Sequence, residues 1–312
     1  MSVSLLIAAA IALPGAEPGL GLDDLLFSRS LQVLVVPGAQ TRSLYLVAGD
    51  GSVTRVSPFP PASGGEGVTS VDEGGGLLFA TDRTSRTLYV VDPAKRAVVG
   101  SARLAAGPDY VRFVGGEVWV TEPREAQIEA FRLDGTQPKQ TAIIKVPGGP
   151  ESLVVDAEHG RAYTNLWKDA TVELDVARHA VVRTSPNGCA DSRGIDLDAR
   201  HARVFVGCRE GKVVMLEAAT GNVVASRFVD VDGVDIIAFD GERLFVPGAR
   251  SGTMAIVRVG EDGSLNPEQR VPTAQGAHCV AVDRRGGAYV CDPRGGRVLH
   301  IPKEARVGVS GK

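Results

Sequence analysis

The chain has 312 residues, a formal net charge of −3 and a pI near 6.0. A nucleic-acid partner is therefore not expected, because phosphate neutralisation needs a basic face, and no run of five like charges marks a charged tail. Aromatics are only 5% against 44% hydrophobic residues, with 38 glycines and 18 prolines. Such a chain turns often and builds its core from Val, Leu, Ile and Ala, in strands buried on both faces.

The N-terminus is an apolar stretch from Val3 to Leu13, followed by Pro14-Gly15-Ala16. It is too short to span a bilayer comfortably. It has the length of a signal-peptide core with small residues after it, although no Lys or Arg precedes it. Residues 1–20 are accordingly read as a signal peptide, residues 21–305 as one folded unit and residues 306–312 as a C-terminal tail. This implies a periplasmic or secreted protein without a stable membrane span. No Cys near the cleavage region offers a lipid anchor.

Beyond the leader, aromatic residues recur in short strand-like words: Tyr45, Phe79, Trp119, Tyr163, Phe205, Phe245 and Tyr289. By subtraction the intervals are 34, 40, 44, 42, 40 and 44 residues. Each period holds a strand after a turn, a tight Gly turn, the aromatic strand, a polar loop and two further strands. Turn residues at this spacing favour meanders over βαβ units. A period in the low forties with four strands is the signature of propeller blades. The expectation is an all-β fold: a seven-bladed β-propeller of four-stranded antiparallel blades, its ring closed by an N-terminal strand. The first blade is read as strands over residues 31–36, 43–47 and 52–56, with a poor fourth segment at 57–61, where prolines cannot complete a ladder. Closure must hide a sheet edge. Residues 23–34 are expected to supply that strand, with residues 306–309 as the alternative.

Four cysteines, Cys189, Cys208, Cys279 and Cys291, allow three pairings. If Asp283 faces Gly287 across the turn of the last blade, Cys279 falls opposite Cys291. Opposed residues on antiparallel strands lie roughly 4.5–5.5 Å apart at Cα, within disulfide range. The corresponding blade carries Cys189 and Cys208. The pairs Cys189–Cys208 and Cys279–Cys291 are predicted, in keeping with an oxidising compartment; four buried thiols in a reduced protein are the other reading.

Tyr163-Thr164-Asn165 followed by Asp169-Ala-Thr-Val-Glu-Leu-Asp175 resembles the repeat of the YVTN family of β-propellers. Phe79-Ala-Thr-Asp82 with Thr87-Leu-Tyr-Val-Val-Asp92 is a looser copy. The resemblance implies architecture rather than activity. The blade from Gly107 to Glu122 is similar to repeats of the streptogramin lyase family, which implies a metal ion with a Glu and a His near the closing blades; His278 lies in a comparable blade. Gly211 to Ala225 resembles a pyrroloquinoline-quinone repeat, but Ala225 replaces the expected tryptophan, so no quinone is expected.

The first strands of all blades enter at the mouth of the central channel. Counting back five positions from their ends gives a ring of Gly67, Asp109, Glu151, Arg193, Asp235 and His278, with Glu66 one residue earlier and Gln32 as the first blade's counterpart. Convergent carboxylates Glu66, Asp109, Glu151 and Asp235 suit a divalent cation such as Ca²⁺ or Mg²⁺. His278 could carry a proton and Arg193 could grip a substrate carboxylate. Asn165, at the end of an anchor strand, and Trp167 beside it are further ligand-contact candidates. No nucleophile elbow, phosphate loop or Cys-x-x-Cys ribbon is present. The reading is an exported, monomeric binding module that takes a small molecule or protein at its channel mouth. A metal-assisted lyase or lactone hydrolase with His278 as base is the alternative, and a surface-layer or scaffold protein the second. Propeller architecture alone does not choose among them.

Overall fold

The computed structural model describes residues 9–60 and 64–303. Twenty-eight strands form seven four-stranded antiparallel sheets, six of them meanders and the seventh a three-stranded meander joined by an N-terminal strand. In chain order the innermost strands are Leu26–Ser28, Val68–Gly74, Val111–Val114, Val154–Asp156, Ser192–Asp198, Ala238–Phe239 and Val280–Val282. The outermost are Val53–Val56, Ala97–Arg103, Gln137–Lys145, Ala180–Pro186, Val223–Phe228, Leu265–Pro272 and, for the seventh blade, Ala9–Ala12. The seven-bladed propeller expected from the aromatic period is the fold. The named helical elements are the short 3-10 turns Pro123–Glu125 and Ala199–His201.

The anchors explain the period. Phe79, Trp119, Tyr163, Phe205, Phe245 and Tyr289 all lie on the second strand of their blade and are buried between neighbouring sheets. Tyr45 is also buried, but on the third strand of blade 1, Leu44–Val47. That is why the first interval is short. It also corrects the first blade: residues 31–36 overlap its second strand, Val33–Pro37, and the inner strand is Leu26–Ser28. Val53–Val56 is a regular fourth strand, and the Pro58 segment lies beyond it.

The ring closes elsewhere than expected. Ala9–Ala12 pairs antiparallel with Arg297–Ile301, Ala9 facing His300 and Ala12 facing Arg297. Residues 23–34 instead begin blade 1. The closing strand thus comes from the stretch whose composition reads as a leader, since short apolar residues suit both uses. It is followed by a crossing whose Leu13, Leu20, Leu22 and Leu25 are all in the core. Tyr45 Oη donates to the Pro14 carbonyl at 3.2 Å, and the Gly19 N–H to the Pro293 carbonyl at 2.9 Å. Residues 306–309 lie outside the described residues.

Blades are also stapled sideways. The Asp72 carboxylate accepts the Phe113 N–H at 2.6 Å, and the Asp196 carboxylate accepts the Phe239 N–H at 2.6 Å, each on the next inner strand. Glu117 accepts from Trp119 Nε1 and binds His179 Nε2 of the next blade at 2.6 Å. His179 is thus an inter-blade contact rather than a surface residue. Cys189–Cys208 and Cys279–Cys291 are disulfides with Cα separations of 5.3 and 5.6 Å. Closing loops of this size constrains the unfolded chain by about 3 kcal/mol each.

The outer strands share a device. In blades 2 to 6 the pairing with the third strand skips one residue: Val99, Thr141, Val182, Val224 and Glu268 respectively. A bulge at an outermost strand increases its twist and discourages edge-to-edge association.

Candidate functional site

Each inner strand starts at one face, so the residues before it meet there. Asp109 is fixed by its N–H to the Thr121 carbonyl, and Glu151 by its N–H to the Asn165 carbonyl, both at 2.9 Å. His278 is held through its own carbonyl, which accepts the Ile236 N–H at 2.9 Å. Gly67 occupies the ring position of blade 2 with φ 78°, and a Cβ there would meet the Ala39 carbonyl oxygen at 2.1 Å. No side chain fits, so blade 2 presents its acid one residue earlier, at Glu66. Gly194 obeys the same constraint beside Arg193, where a Cβ would meet the Asp235 carbonyl oxygen at 2.2 Å.

The result is a recess of about 450 Å³ lined by Asp23, Glu66, Arg83, Asp109, Glu151 and Asp235, with Trp167 at its edge. The structure therefore brings Glu66, Asp109, Glu151, Asp235 and Trp167 together. It adds Arg193 through its ion pair with Glu151 at 2.7 Å and His278 through Asp23 at 3.7 Å. Asp23, rather than Gln32, is the first blade's member; Gln32 lines a different recess, against blade 7. Arg193 also pairs with Asp191 at 2.9 Å and sits 5.9 Å from the Trp167 ring centre. Trp167 is 42% exposed.

Asn165 does not belong to the ligand surface. It is fully buried. Its Nδ2 donates to the Arg193 and Gly194 carbonyls at 3.0 and 2.9 Å, and its Oδ1 accepts from Thr171 Oγ1 at 2.7 Å. It ties the anchor strand of blade 4 to the strand carrying Arg193. Asp82, Glu122 and Asp292, at the ends of other anchor strands, are likewise buried and accept from nearby loops.

Asp23 and Arg83 escaped sequence reasoning. Arg83 organises the site: Nη1 meets Glu66 at 2.7 Å, Nη2 meets Asp23 at 2.8 Å and also Asp109, and Nε donates to the Pro108 carbonyl at 3.1 Å. Its signal was present in the word Phe-Ala-Thr-Asp-Arg83, since Arg209 holds the matching position after Cys208 and pairs with Asp191 at 3.3 Å. Because Arg83 and Arg193 already engage three of the four carboxylates, Glu66, Asp109, Glu151 and Asp235 do not form a single ligand set for a divalent ion. Among the described residues, three ligand atoms converge only at His278–Cys279–Cys291 and Cys189–Cys208–Glu210, where the sulfurs are in disulfides.

The electrostatics are those of too many acids in a dry place. Burial raises the Asp109 carboxyl well above its ordinary value; Asp23, Glu151 and Asp235 add to the rise and Arg83 only partly offsets it. Burial likewise pushes Glu151 up to about 7 despite Arg193. Asp235 is raised by burial and by Asp23, and it makes no hydrogen bond or ion pair among the described residues. His278 goes the other way. Burial would lower it, but Asp23 and Asp235 outweigh burial and lift it to about 9. At neutral pH it is an imidazolium that donates Nδ1–H to the Gly276 carbonyl at 2.7 Å, so it does not suit the role of general base.

These shifts set a pH dependence. Asp72 and Asp196 are raised to about 6, and Glu122 and Glu151 to about 7, in each case chiefly by burial. A raised carboxyl binds its proton more tightly in the folded state, so stability falls as pH climbs from the ordinary carboxylate range to about 7. His278 acts in the same sense at higher pH: its contribution is complete below 6.5 and is lost as pH rises through about 9. Carboxylates held low, such as Asp23 and Glu117, are ionised throughout this window in both states. Thermal unfolding at pH 5 should therefore occur about 5 °C or more above that at pH 7.5. Equal or reversed midpoints would refute this assignment.

No protein-family model matches the chain, and no curated protein does. The fold is shared with solved structures. A chain of the mitotic checkpoint complex is similar at 12% identity and a TM-score of 0.80, covering 97% of this chain and 96% of that one. A chain of Kuenenia stuttgartiensis hydrazine synthase is similar at 16% and 0.75, covering 94% and 99%. The WD40 propeller domain of Doa1 is similar at 14% and 0.74, covering 98% and 99%. At these identities the likeness is one of fold.

Proposed function

We propose that this chain is an exported binding module whose channel mouth receives a cationic group, an ammonium or guanidinium, of a ligand or partner protein. The observation that carries this reading is Asp235, a half-buried carboxylate in an acid-rich recess with no partner of its own. A divalent ion asks for six to eight oxygens, and the neighbouring acids are taken by Arg83 and Arg193. An organic cation asks only for one or two charge-assisted hydrogen bonds, and Trp167 at the edge offers it an aromatic face. Neighbours of this fold include a chain of a multi-protein complex, in keeping with the common use of propellers as protein-binding modules. The two disulfides support a periplasmic or secreted site of action.

The test is a titration with the capped peptide acetyl-Ala-Arg-Ala-amide, followed by tryptophan fluorescence and calorimetry. Saturable binding is expected, weakened about tenfold or more in Asp235→Asn and absent for the peptide with Glu in place of Arg. Binding that is indifferent to Asp235, or no binding of the Arg peptide at millimolar concentration, would remove this reading.

A further inference from the structure

Among the outer strands of six or more residues, that of blade 5, Val223–Phe228, is the most open. Five of its six residues are exposed, with Phe228 at 65%, Val224 at 53% and Val223 at 44%. It contains no proline or lysine, the residues that usually guard a sheet edge. The other long outer strands are protected. In blade 2 the Val99 carbonyl accepts from Thr136 and Gln137 of the next blade at 2.8 and 3.0 Å. In blade 3 the strand carries Pro138, Lys139 and Lys145. In blade 4 Arg183 donates to the Ala218 and Ala219 carbonyls of blade 5 at 2.7 and 2.8 Å. Blade 6 carries Pro267 and Pro272. No hydrogen bond from blade 6 reaches residues 223–228 among the described residues. A recess of about 700 Å³ lies there instead, between Ser226–Asp230 and Pro267–Arg270.

The bulge at Val224 disturbs only the start of this strand. From Ala225 to Phe228 the pairing with Lys212–Met215 is regular, so the far edge presents an ordinary row of backbone donors and acceptors. The two faces differ. Ala225 packs against the core cluster that joins Val213 and Met215 of blade 5 to Ala255 and Val257 of blade 6. Arg227 shares its face by the two-residue period of a strand and lines the recess, where Arg270 also sits. Arg270 reaches Asp230 at 3.9 Å and Glu268 is held by Arg243 and Arg258, whereas Arg227 meets no carboxylate within 4 Å among the described residues. The opposite face carries Phe228, with Lys212 Nζ 5.8 Å from its ring centre.

We infer that Val223–Phe228 is a docking edge for an extended peptide of a partner protein, added as a fifth strand. The peptide's alternate residues are acidic on the side facing Arg227 and Arg270, and apolar on the side facing Phe228. Backbone pairing supplies affinity in such a mode and the alternating side chains supply specificity. Cross-strand charge and apolar pairs set the register.

The experiment uses the full chain and a fluorescein-labelled peptide, Thr-Val-Glu-Val-Glu-Val-Thr, read by anisotropy and by hydrogen exchange of residues 223–229. Saturable binding with new protection confined to that strand is expected. Arg227→Glu should weaken it about tenfold or more and should transfer preference to the same peptide with Lys in place of Glu. A proline at the peptide's centre should abolish binding. Affinities that ignore both charge swaps, or protection that falls elsewhere, would overturn the proposal. So would a concentration-dependent dimer that protects residues 225–228 without peptide, which would assign the edge to a second copy.

Discussion

Deleting residues 1–20 is expected to cost this protein its cooperative fold, or at least about 10 °C of its melting temperature. The deletion removes Ala9–Ala12 from the edge of Arg297–Ile301 and takes Leu13 and Leu20 out of the core. Each buried leucine contributes about 1.5–3 kcal/mol, and each backbone hydrogen bond of the ladder about 1 kcal/mol net. The loss, on the order of 5 kcal/mol or more, rivals the whole net stability of a typical domain. It also leaves the seventh blade with three strands and an unpaired apolar edge, which invites association. Thermal unfolding and light scattering of the truncated chain measure both effects. A truncated protein that melts within about 2 °C of the full one would show that Ala9–Ala12 is dispensable. The same segment is the proposed leader, so the N-terminal sequence of exported protein is the companion measurement. A mature chain starting beyond residue 20 must cover Arg297–Ile301 by other means.

The architecture was legible because its signal is repeated. Six anchors each occupy the same second-strand site, and no single departure disturbs the period. The first blade was less legible because Tyr45 anchors from the third strand, which shifted its inner strand and hid Asp23 behind Gly-Leu rather than Gly-Pro. The closing strand was hidden by composition: Ala-Ala-Ile-Ala reads alike as leader core and as edge strand. Five acids and bases of the ring could be located by counting, since every inner strand enters at one face. What counting could not supply was their partners. Arg83 comes from an anchor-strand end, and its contacts with Asp23 and Asp109, across two other blades, depend on closure of the ring. Asn165 shows the converse: a polar residue at a strand end can be wholly occupied by backbone.

Arg83 should therefore be the most sensitive single residue of the mouth. Replacing it with Met keeps length and apolar contact but leaves Asp109 without its cation and Asp23 with His278 alone. Both are about four-fifths buried, and breaking such a pair by removing one partner costs about 3–5 kcal/mol. Glu66 is mostly exposed and adds little. At pH 7.5 Arg83→Met should melt about 10 °C below the parent. The deficit should shrink at pH 5, because Asp23, now held low by His278 and Arg83 against burial, would take a proton in the folded state. Arg83→Lys should recover only part, since an ammonium cannot span three carboxylates as a guanidinium does. Adding Asp23→Asn and Asp109→Asn to Arg83→Met should restore stability at pH 7.5. The freed acids should also bind the Arg peptide more tightly in Arg83→Met, which couples this prediction to the cationic ligand. A deficit of equal size at pH 5 and pH 7.5, unrelieved by the two asparagines, would mean that Arg83 acts through packing alone.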